Sequence, residues 1–272
     1  MESEWNRVST KHPCKICGKP DWCLLSADQT AAICPRTPSE KYIDGSGYLH
    51  VLDKSKPMQS KGPTRKPTAK ALPEHNSVME MLMKGFWEQA DDDRVSGASS
   101  ALNLSIECLR TMEIGYSVSQ NAYAFPMRRS GNRFLGIRFR TSSGQKFAAK
   151  GSKQGLFIPK TFHRKQAVVV CEGPTDTAAM VQLGFNAIGR PSCNAGSMLI
   201  KELARGLPVA ILADNDQVGL DGANKLADQL VKSDRSRPRV SIVGCNGHKD
   251  AREWVASGAT RQDIMEAIRR SR

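Results

Sequence analysis

Val168-Val169-Val170-Cys171-Glu172-Gly173-Pro174-Thr175-Asp176 and, further along, Val209-Ala210-Ile211-Leu212-Ala213-Asp214-Asn215-Asp216 are the two stretches on which the fold turns. Each is a short apolar run that ends in carboxylates. An apolar run without alternation is what a strand covered on both faces looks like in a parallel sheet, and acids at its carboxyl end stand on the open rim where α/β sheets bind ligands. A divalent cation such as Mg²⁺ (or Mn²⁺) takes hard oxygen ligands. Asp214 and Asp216, flanking one residue as the strand unwinds, point to one side of the rim together with Glu172. Either half alone is weak, since a lone Asp-x-Asp is usually a helix cap or a solvated turn. Both together, each in a strand, turn and helix context, make a strong signal for a metal site.

The surroundings support a parallel sheet. From Gln166 onward the pattern predicts a strand over 167–171, a helix over 175–183 closed by Gly184, a short strand at Ala187-Ile188, a helix near 196–205 and a strand over 208–213. A helix over 219–232, a strand over 239–243 and helices over 250–256 and 260–270 follow. Such alternation implies a sheet with helices on both faces. Upstream, helical signals cover 77–87 and 101–112, the second with Ser105 as a cap. Residues 133–140 alternate as a strand, with Leu135, Ile137 and Phe139 on one face and Arg138 and Arg140 on the other. Thr141-Ser142-Ser143-Gly144 turns the chain into a second strand over 145–150, and 151–159 reads as a loop.

Charge points to a polyanionic partner. The 272 residues carry 40 Lys and Arg against 27 Asp and Glu, a net +13. No acidic residue lies between Glu113 and Glu172, an interval that holds Arg128, Arg129, Arg133, Arg138, Arg140, Lys146, Lys150, Lys153, Lys160, Arg164 and Lys165. A solvated basic face interleaves acids for solubility, whereas a phosphate-binding face has reason to omit them. Arg138, Arg140, Lys146 and Lys150 are the candidates for contact with the phosphates of a nucleic acid or nucleotide, because they alternate outward from adjacent strands just before the parallel sheet. No apolar run is long enough to span a membrane and the N-terminus lacks a signal-peptide pattern, so a cytoplasmic protein is expected.

Of the eight cysteines, four cluster as Cys14-x2-Cys17-x5-Cys23-x10-Cys34. The Cys-x-x-Cys step places two thiolates on one knuckle, and two later cysteines on a small hairpin complete a tetrahedral Zn²⁺ site, with His12 as a substitute ligand. A module over 1–52 with so little apolar material needs such a staple to fold. Trp22 and Tyr48 in this module are either its core or a platform for an unpaired base. Residues 53–76, rich in Lys, Pro, Ser and Thr, read as a flexible basic linker. Cys108, Cys171, Cys193 and Cys245 are dispersed and expected to act as small buried hydrophobes.

Glu172-Gly173-x-x-Asp176 followed by Asp214-x-Asp216 resembles the Toprim family of metal-dependent catalytic domains. With a zinc module, a linker and a basic subdomain ahead of it, nearly the whole chain resembles the DNA primases of bacteria and phages. Gly219 and Gly222 opening the helix after Asp216, and Lys249-Asp250 after the last strand, resemble further primase elements, while Val218 and Leu220 depart from the usual residues there. The resemblance implies domains at 1–52 (zinc), 53–76 (linker), 77–165 (basic α+β, template and nucleotide) and 166–272 (Toprim). It also implies synthesis of short RNA primers from ribonucleoside triphosphates on single-stranded DNA, with Asp214 and Asp216 holding the metal and the zinc module helping to select the start site. Glu172 completes that metal site or accepts the hydroxyl proton. Asp250 supports a second ion or caps a helix, Lys249 meets the triphosphate, Gly173 and Gly219 support the site, and Asp176 either caps its own helix or supports the site from behind. No Gly-x-x-x-x-Gly-Lys run occurs, so a separate replicative helicase is the implied partner. The rival readings are a Toprim-type nuclease using the same carboxylates with water as nucleophile, a topoisomerase, for which four tyrosines and this length offer little, and a non-catalytic single-stranded nucleic-acid binder.

Overall fold

The structure, a computed structural model, describes residues 5–43, 46–53, 72–233 and 238–271. The chain divides into two units, Met1–Lys70 and Ala71–Arg272. Residues 54–71 of the linker expected over 53–76 lie outside the described residues.

The first unit is an antiparallel sheet of β1 (Trp5–Arg7), β2 (Leu24–Ser26), β3 (Ala31–Cys34), β4 (Lys41–Ile43) and β5 (Gly47–Val51) in the order β1-β2-β3-β5-β4. Its centre, β3, is buried along its whole length. Ala31, Ile33 and Leu49 form one small apolar cluster with Trp5, Leu24 and Ile43, and Cys14, Cys23 and Cys34 form another with Val8 and Ile16. Trp22 belongs to neither: it is 70 % exposed, in a left-handed turn (φ 63°). Tyr48 packs edge-on against Tyr42, ring centroids 5.1 Å apart.

The second unit opens with helices α1 (Ser77–Glu88), α2 (Asp92–Leu102) and α3 (Ile106–Thr111). The single helical stretch expected over 101–112 is interrupted at Asn103, whose left-handed backbone (φ 53°, ψ 48°) ends α2 before Ser105 caps α3 through the Cys108 N–H. Helix α2 is built on small polar residues, and only Val95, Ala98 and Leu102 face inward, too sparse a stripe to stand out in sequence. An antiparallel sheet follows, β6 (Gly115–Ser117), β7 (Ala122–Arg129), β8 (Arg133–Thr141) and β9 (Lys146–Ala148), in chain order. Strand β7 contains Pro126, which ordinarily argues against a strand. Proline is tolerated here because the β6 pairing stops at Ala124, so no ladder partner awaits an N–H on that side.

The remainder is β10 (Val168–Glu172), α4 (Pro174–Gln182), β11 (Ala187–Arg190), α5 (Ser197–Leu203), β12 (Val209–Ala213), α6 (Gln217–Ser233), β13 (Val240–Gly244), α7 (Ala251–Ala256) and α8 (Arg261–Arg270). The sheet is parallel, ordered β11-β10-β12-β13. Val168, Val170, Val209 and Ile211 face α5 and α6, through Leu199, Ile200, Leu203, Ala223, Leu226 and Leu230. Val169, Cys171, Ala210 and Leu212 face the other way, onto Met180, Trp254, Ile264 and Ile268 of α4, α7 and α8. Two apolar faces explain the unbroken apolar runs, and each such buried branched side chain contributes about 1.5–3 kcal/mol. Within the expected loop over 151–159, Leu156 bridges to Arg128 of β7 and Phe157 to Gly189 of β11. These pairings join the antiparallel sheet to the edge of the parallel one, setting the basic strands beside the carboxylate rim.

Residues Leu72, His75 and Asn76 belong to this unit: Leu72 packs on its core, His75 Nδ1 accepts from the Phe134 N–H, and the Asn76 side chain caps α1. Of the dispersed cysteines, Cys108, Cys171 and Cys245 are buried, whereas Cys193 is only partly so. Among the described residues no helix is long and apolar enough to cross a membrane.

Candidate functional site

Strand β10 ends in Glu172, and Gly173, at φ 88°, turns the chain into α4. That backbone angle suits glycine and explains the Glu-Gly pair. Strand β12 delivers Asp214, and Asp216 accepts from the Gly219 N–H at 2.7 Å, capping α6. A Cβ on Gly219 would lie 2.7 Å from the Asp214 carbonyl oxygen, so a side chain there would push α6 off the acid loop. The Asn215 N–H donates to the Lys249 carbonyl at 2.8 Å, which ties this loop to the one leading into α7.

Asp250 caps α7 by accepting from the Glu253 N–H at 2.8 Å. The first turn of the same helix takes a second carboxylate: Asp176, buried, accepts from the Arg252 N–H at 3.0 Å. Asp176 is therefore no cap for its own helix, whose N-terminus receives no side-chain bond. It braces α7 against α4 and so fixes where Asp250 stands. The Lys249 N–H donates to Glu253, and the Lys249 side chain is exposed.

The rim is electrostatically strained. Burial, with Glu172, Asp250 and Asp216 adding repulsion, pushes the Asp214 carboxyl up to about 7, against the pull of Lys146. Burial and then Asp250 do the same to Asp176, also to about 7, offset by the Arg252 N–H and Lys146. Lys146, on β9, is thus felt by both acids. Arg140, on β8, has its pKa lowered by burial and by Arg252 while Asp176 and Asp250 pull it up. Arg138 is lowered by burial, and its Nη2 donates to the Pro191 carbonyl at 3.2 Å. These two arginines are half-buried against the rim, where the alternation of β8 had suggested side chains standing clear of the sheet. Lys150 lies past the end of β9 and is exposed.

Sequence reasoning missed two rim residues, Arg190 and Arg252. The first had a legible signal, a charged residue closing the short apolar run of β11 just as Glu172 closes β10. The rim carboxylates stand further apart than a closed ligand set: among the described residues, only the cysteines place three or more ligand atoms within 4.8 Å of one another. The donor set is all oxygen, one oxygen of Glu172 (Oε2) is buried without a hydrogen-bond partner, and Asp214 is held up by burial and then by its neighbours' charge. A hard divalent cation fits these residues, since it relieves the repulsion that raises Asp214.

In the first unit Cys14, Cys17, Cys23 and Cys34 form that compact set. The Cys17–Cys23 and Cys23–Cys34 sulfur separations are 3.7 and 3.8 Å. A tetrahedron of thiolates about 2.3 Å from a zinc ion has edges of about 3.8 Å, so the sulfurs are spaced for Zn²⁺ and too far apart for disulfides. The knuckle is shaped by the Gly18 N–H donating to the Cys14 carbonyl at 2.8 Å. Burial pushes the Cys17 thiol up, but the Lys19 backbone with Cys23, Cys34 and Arg36 outweighs it and brings it to about 6. Arg36 Nη1 lies 3.8 Å from the Cys17 sulfur and 3.7 Å from that of Cys23, held in place by Asp21. His12 is not part of the set.

Over 72 % of its length the chain has the fold of DNA primase catalytic cores. The E. coli primase catalytic core superposes with a TM-score of 0.58 at 14 % identity, over 72 % of this chain and 79 % of that one. A DNA primase domain from Pseudomonas aeruginosa does so at 0.58 and 15 % identity, over 72 % and 78 %. The DnaG primase catalytic domain bound to single-stranded DNA does so at 0.58 and 13 % identity, over 72 % and 80 %. No protein-family model matches the sequence, and no curated protein does.

Proposed function

We propose that the chain is a DNA primase of the Toprim type, a nucleotidyltransferase that makes short RNA primers on single-stranded DNA. One observation carries the reading: the neighbouring parallel strands β10 and β12 deliver Glu172 and Asp214-Asn215-Asp216 to one rim, and the basic antiparallel sheet is bridged to the edge of that same parallel sheet, burial and the surrounding carboxylates raising Asp214 against the pull of Lys146 on β9. A site that joins clustered carboxylates to cations on an adjoining sheet suits a reaction in which metal and phosphate charges are neutralised together. The fold supports the same reading, and one neighbour of that fold was solved with single-stranded DNA.

In this reading Asp214 and Asp216 hold Mg²⁺ or Mn²⁺, with Glu172 beside them and Asp250 toward a second ion. When bound, the metal supplies Lewis-acid polarisation of the triphosphate and neutralises the leaving pyrophosphate. The chain's own residues position the reactants. Lys146 and Arg140 meet triphosphate oxygens, Lys249 extends that contact, and Arg138 with Lys150 follows the template phosphates. Gly173, Asp176 and Gly219 hold the loops in register. Residues 1–52 act as the zinc module that selects the start site, the stretch from 53 up to Leu72 as its linker, the residues from Leu72 to 165 as the basic subdomain and 166–272 as the catalytic domain. A separate replicative helicase is the natural partner.

Incubating the protein with single-stranded DNA, Mg²⁺ or Mn²⁺ and labelled ribonucleotides tests the reading. Short labelled products are expected; template cleavage without synthesis overturns it in favour of a nuclease. Replacing Arg138 and Arg140 by Gln is expected to weaken single-stranded DNA binding and to reduce its salt slope by about 0.7 per lost phosphate contact. Gln is preferred to Glu because a carboxylate at Arg140 would add to the repulsion at Asp176 and Asp250. Binding titrations at several salt concentrations measure it, and an unchanged slope places these arginines outside the template path.

A further inference from the structure

Arg190 closes β11, and the parallel register sets it beside Glu172, which closes β10. The guanidinium is almost wholly removed from water, 2 % exposed. Its Nη1 donates to the carbonyls of Cys193 and Gly222. Gly222 makes this cage possible, because a Cβ there would lie 2.6 Å from the Cys193 Cβ and force α6 away from the loop. The other two nitrogens, Nε and Nη2, are buried without hydrogen-bond partners, as is Oε2 of Glu172. Nη2 and Oε2 stand 3.9 Å apart, and Glu172 is the one carboxylate at ion-pair distance from Arg190 among the described residues.

Buried polar groups are rarely left unpaired, and a buried cation least of all. Two orphaned groups of opposite charge that face each other on adjacent strands form a pair that closes with a small rotation of the Glu172 side chain. The arginine is fixed independently by the two carbonyls, so in that pair it is the anchor and the glutamate the part that is placed. Glu172 turns its inner oxygen to Arg190, and the exposed part of its side chain opens on the rim.

We infer that Arg190 is a positioning residue: it holds the inner oxygen of Glu172 so that the outer one is presented to the divalent cation between Glu172, Asp214 and Asp216. The inference rests on the proposed function and adds a residue to that same site. Its sign is diagnostic. If Arg190 acted only through its charge, removing it from beside a cation site would tighten metal binding. A positioning residue gives the opposite result, because partners that orient metal ligands typically contribute 10–100-fold in affinity.

Mn²⁺ titration of the full-length protein, followed by electron paramagnetic resonance, reads this without turnover. Glu172→Gln is expected to weaken Mn²⁺ binding about tenfold or more, Arg190→Met comparably, and the double variant no further than Glu172→Gln alone. Arg190→Lys, which keeps a buried cation, is expected to fall between wild type and Arg190→Met. Unchanged or tighter Mn²⁺ binding in Arg190→Met overturns the inference; should that variant not fold by circular dichroism, the same result in Arg190→Lys does so. An unaltered affinity in Glu172→Gln also overturns it. Primer synthesis by the wild type is scored separately: no primers from a protein whose Mn²⁺ affinities follow the expected order overturns the proposed function and leaves the role of Arg190 standing.

Discussion

Asp214→Asn is expected to abolish nucleotide incorporation and, at the same time, to raise the melting temperature above pH 7. The two effects share one cause. Burial and the charges of Glu172, Asp250 and Asp216 lift the Asp214 carboxyl to about 7 in the folded protein, against a usual value of 3.8. A carboxyl whose folded pKa is raised binds its proton more tightly folded than unfolded. It costs nothing below the unfolded value, destabilises increasingly between the two values and carries its full penalty above the folded one. The neutral amide removes that penalty. Because the group is partly open to solvent, the gain is about 1–2 kcal/mol, well below what the shift alone would suggest, and worth a few degrees. Thermal melts of both proteins at pH 4 and pH 8 check it: the curves should coincide at low pH and separate at high pH. Incorporation should fall by at least about 10²-fold in Mg²⁺. Wild-type synthesis by the variant would remove Asp214 from the metal site, and a melting temperature lower at pH 8 would contradict the repulsion on which the site's reading rests.

Asp216 behaves differently although it lies in the same motif. Its carboxylate caps α6 through Gly219, so replacement by Ala removes a cap worth about 1 kcal/mol along with any metal contact. Asn is the cleaner probe there.

What could be read from the chain and what could not divide along physical lines. The parallel sheet was legible because its strands are apolar on both faces, and Val168 to Cys171 and Val209 to Ala213 leave no other reading. The acids at their ends were legible for the same reason, since a charge that terminates a buried strand must emerge at the rim. Strand β7 was not, because Pro126 breaks the usual strand composition and is excused only by where β6 happens to stop, a fact of pairing. Helix α2 was hidden by its small residues. The tilt of Arg138 and Arg140 toward the rim depends on Leu156 and Phe157 stitching the two sheets together, and a two-residue bridge leaves no periodic trace. Asp176 is the sharpest case: sequence allowed it to cap its own helix or to stand behind the site, and the choice was made by α7, whose first turn it receives from far along the chain.

Stripping zinc is expected to unfold the first unit while leaving the second intact, and with it to suppress primer initiation. The apolar clusters of the first unit are small, built on Ala31, Ile33 and Leu49 on one side and on the cysteines themselves on the other. Without an ion, the cysteine sulfurs, 3.7 Å apart at Cys17–Cys23 and 3.8 Å at Cys23–Cys34, would face one another across an unfilled centre, with Arg36 reaching only Cys17 and Cys23. Metal binding is then a large part of this unit's folding free energy, as it is in small structural zinc sites. The second unit has its own cores and carries Leu72, His75 and Asn76 as part of its packing, so the matching truncation begins at Ala71 to retain them. One Zn²⁺ per chain should be released by a strong chelator, and after Mg²⁺ is restored the protein should start few primers yet still extend one supplied to it. The truncated chain should do the same. Circular dichroism and a calorimetric scan would show one of two transitions lost, and primer assays with and without a supplied primer separate initiation from extension. Equal initiation before and after zinc removal would take template selection away from the module. A single cooperative transition lost in full would show instead that the zinc-bound unit is needed to keep the catalytic unit folded.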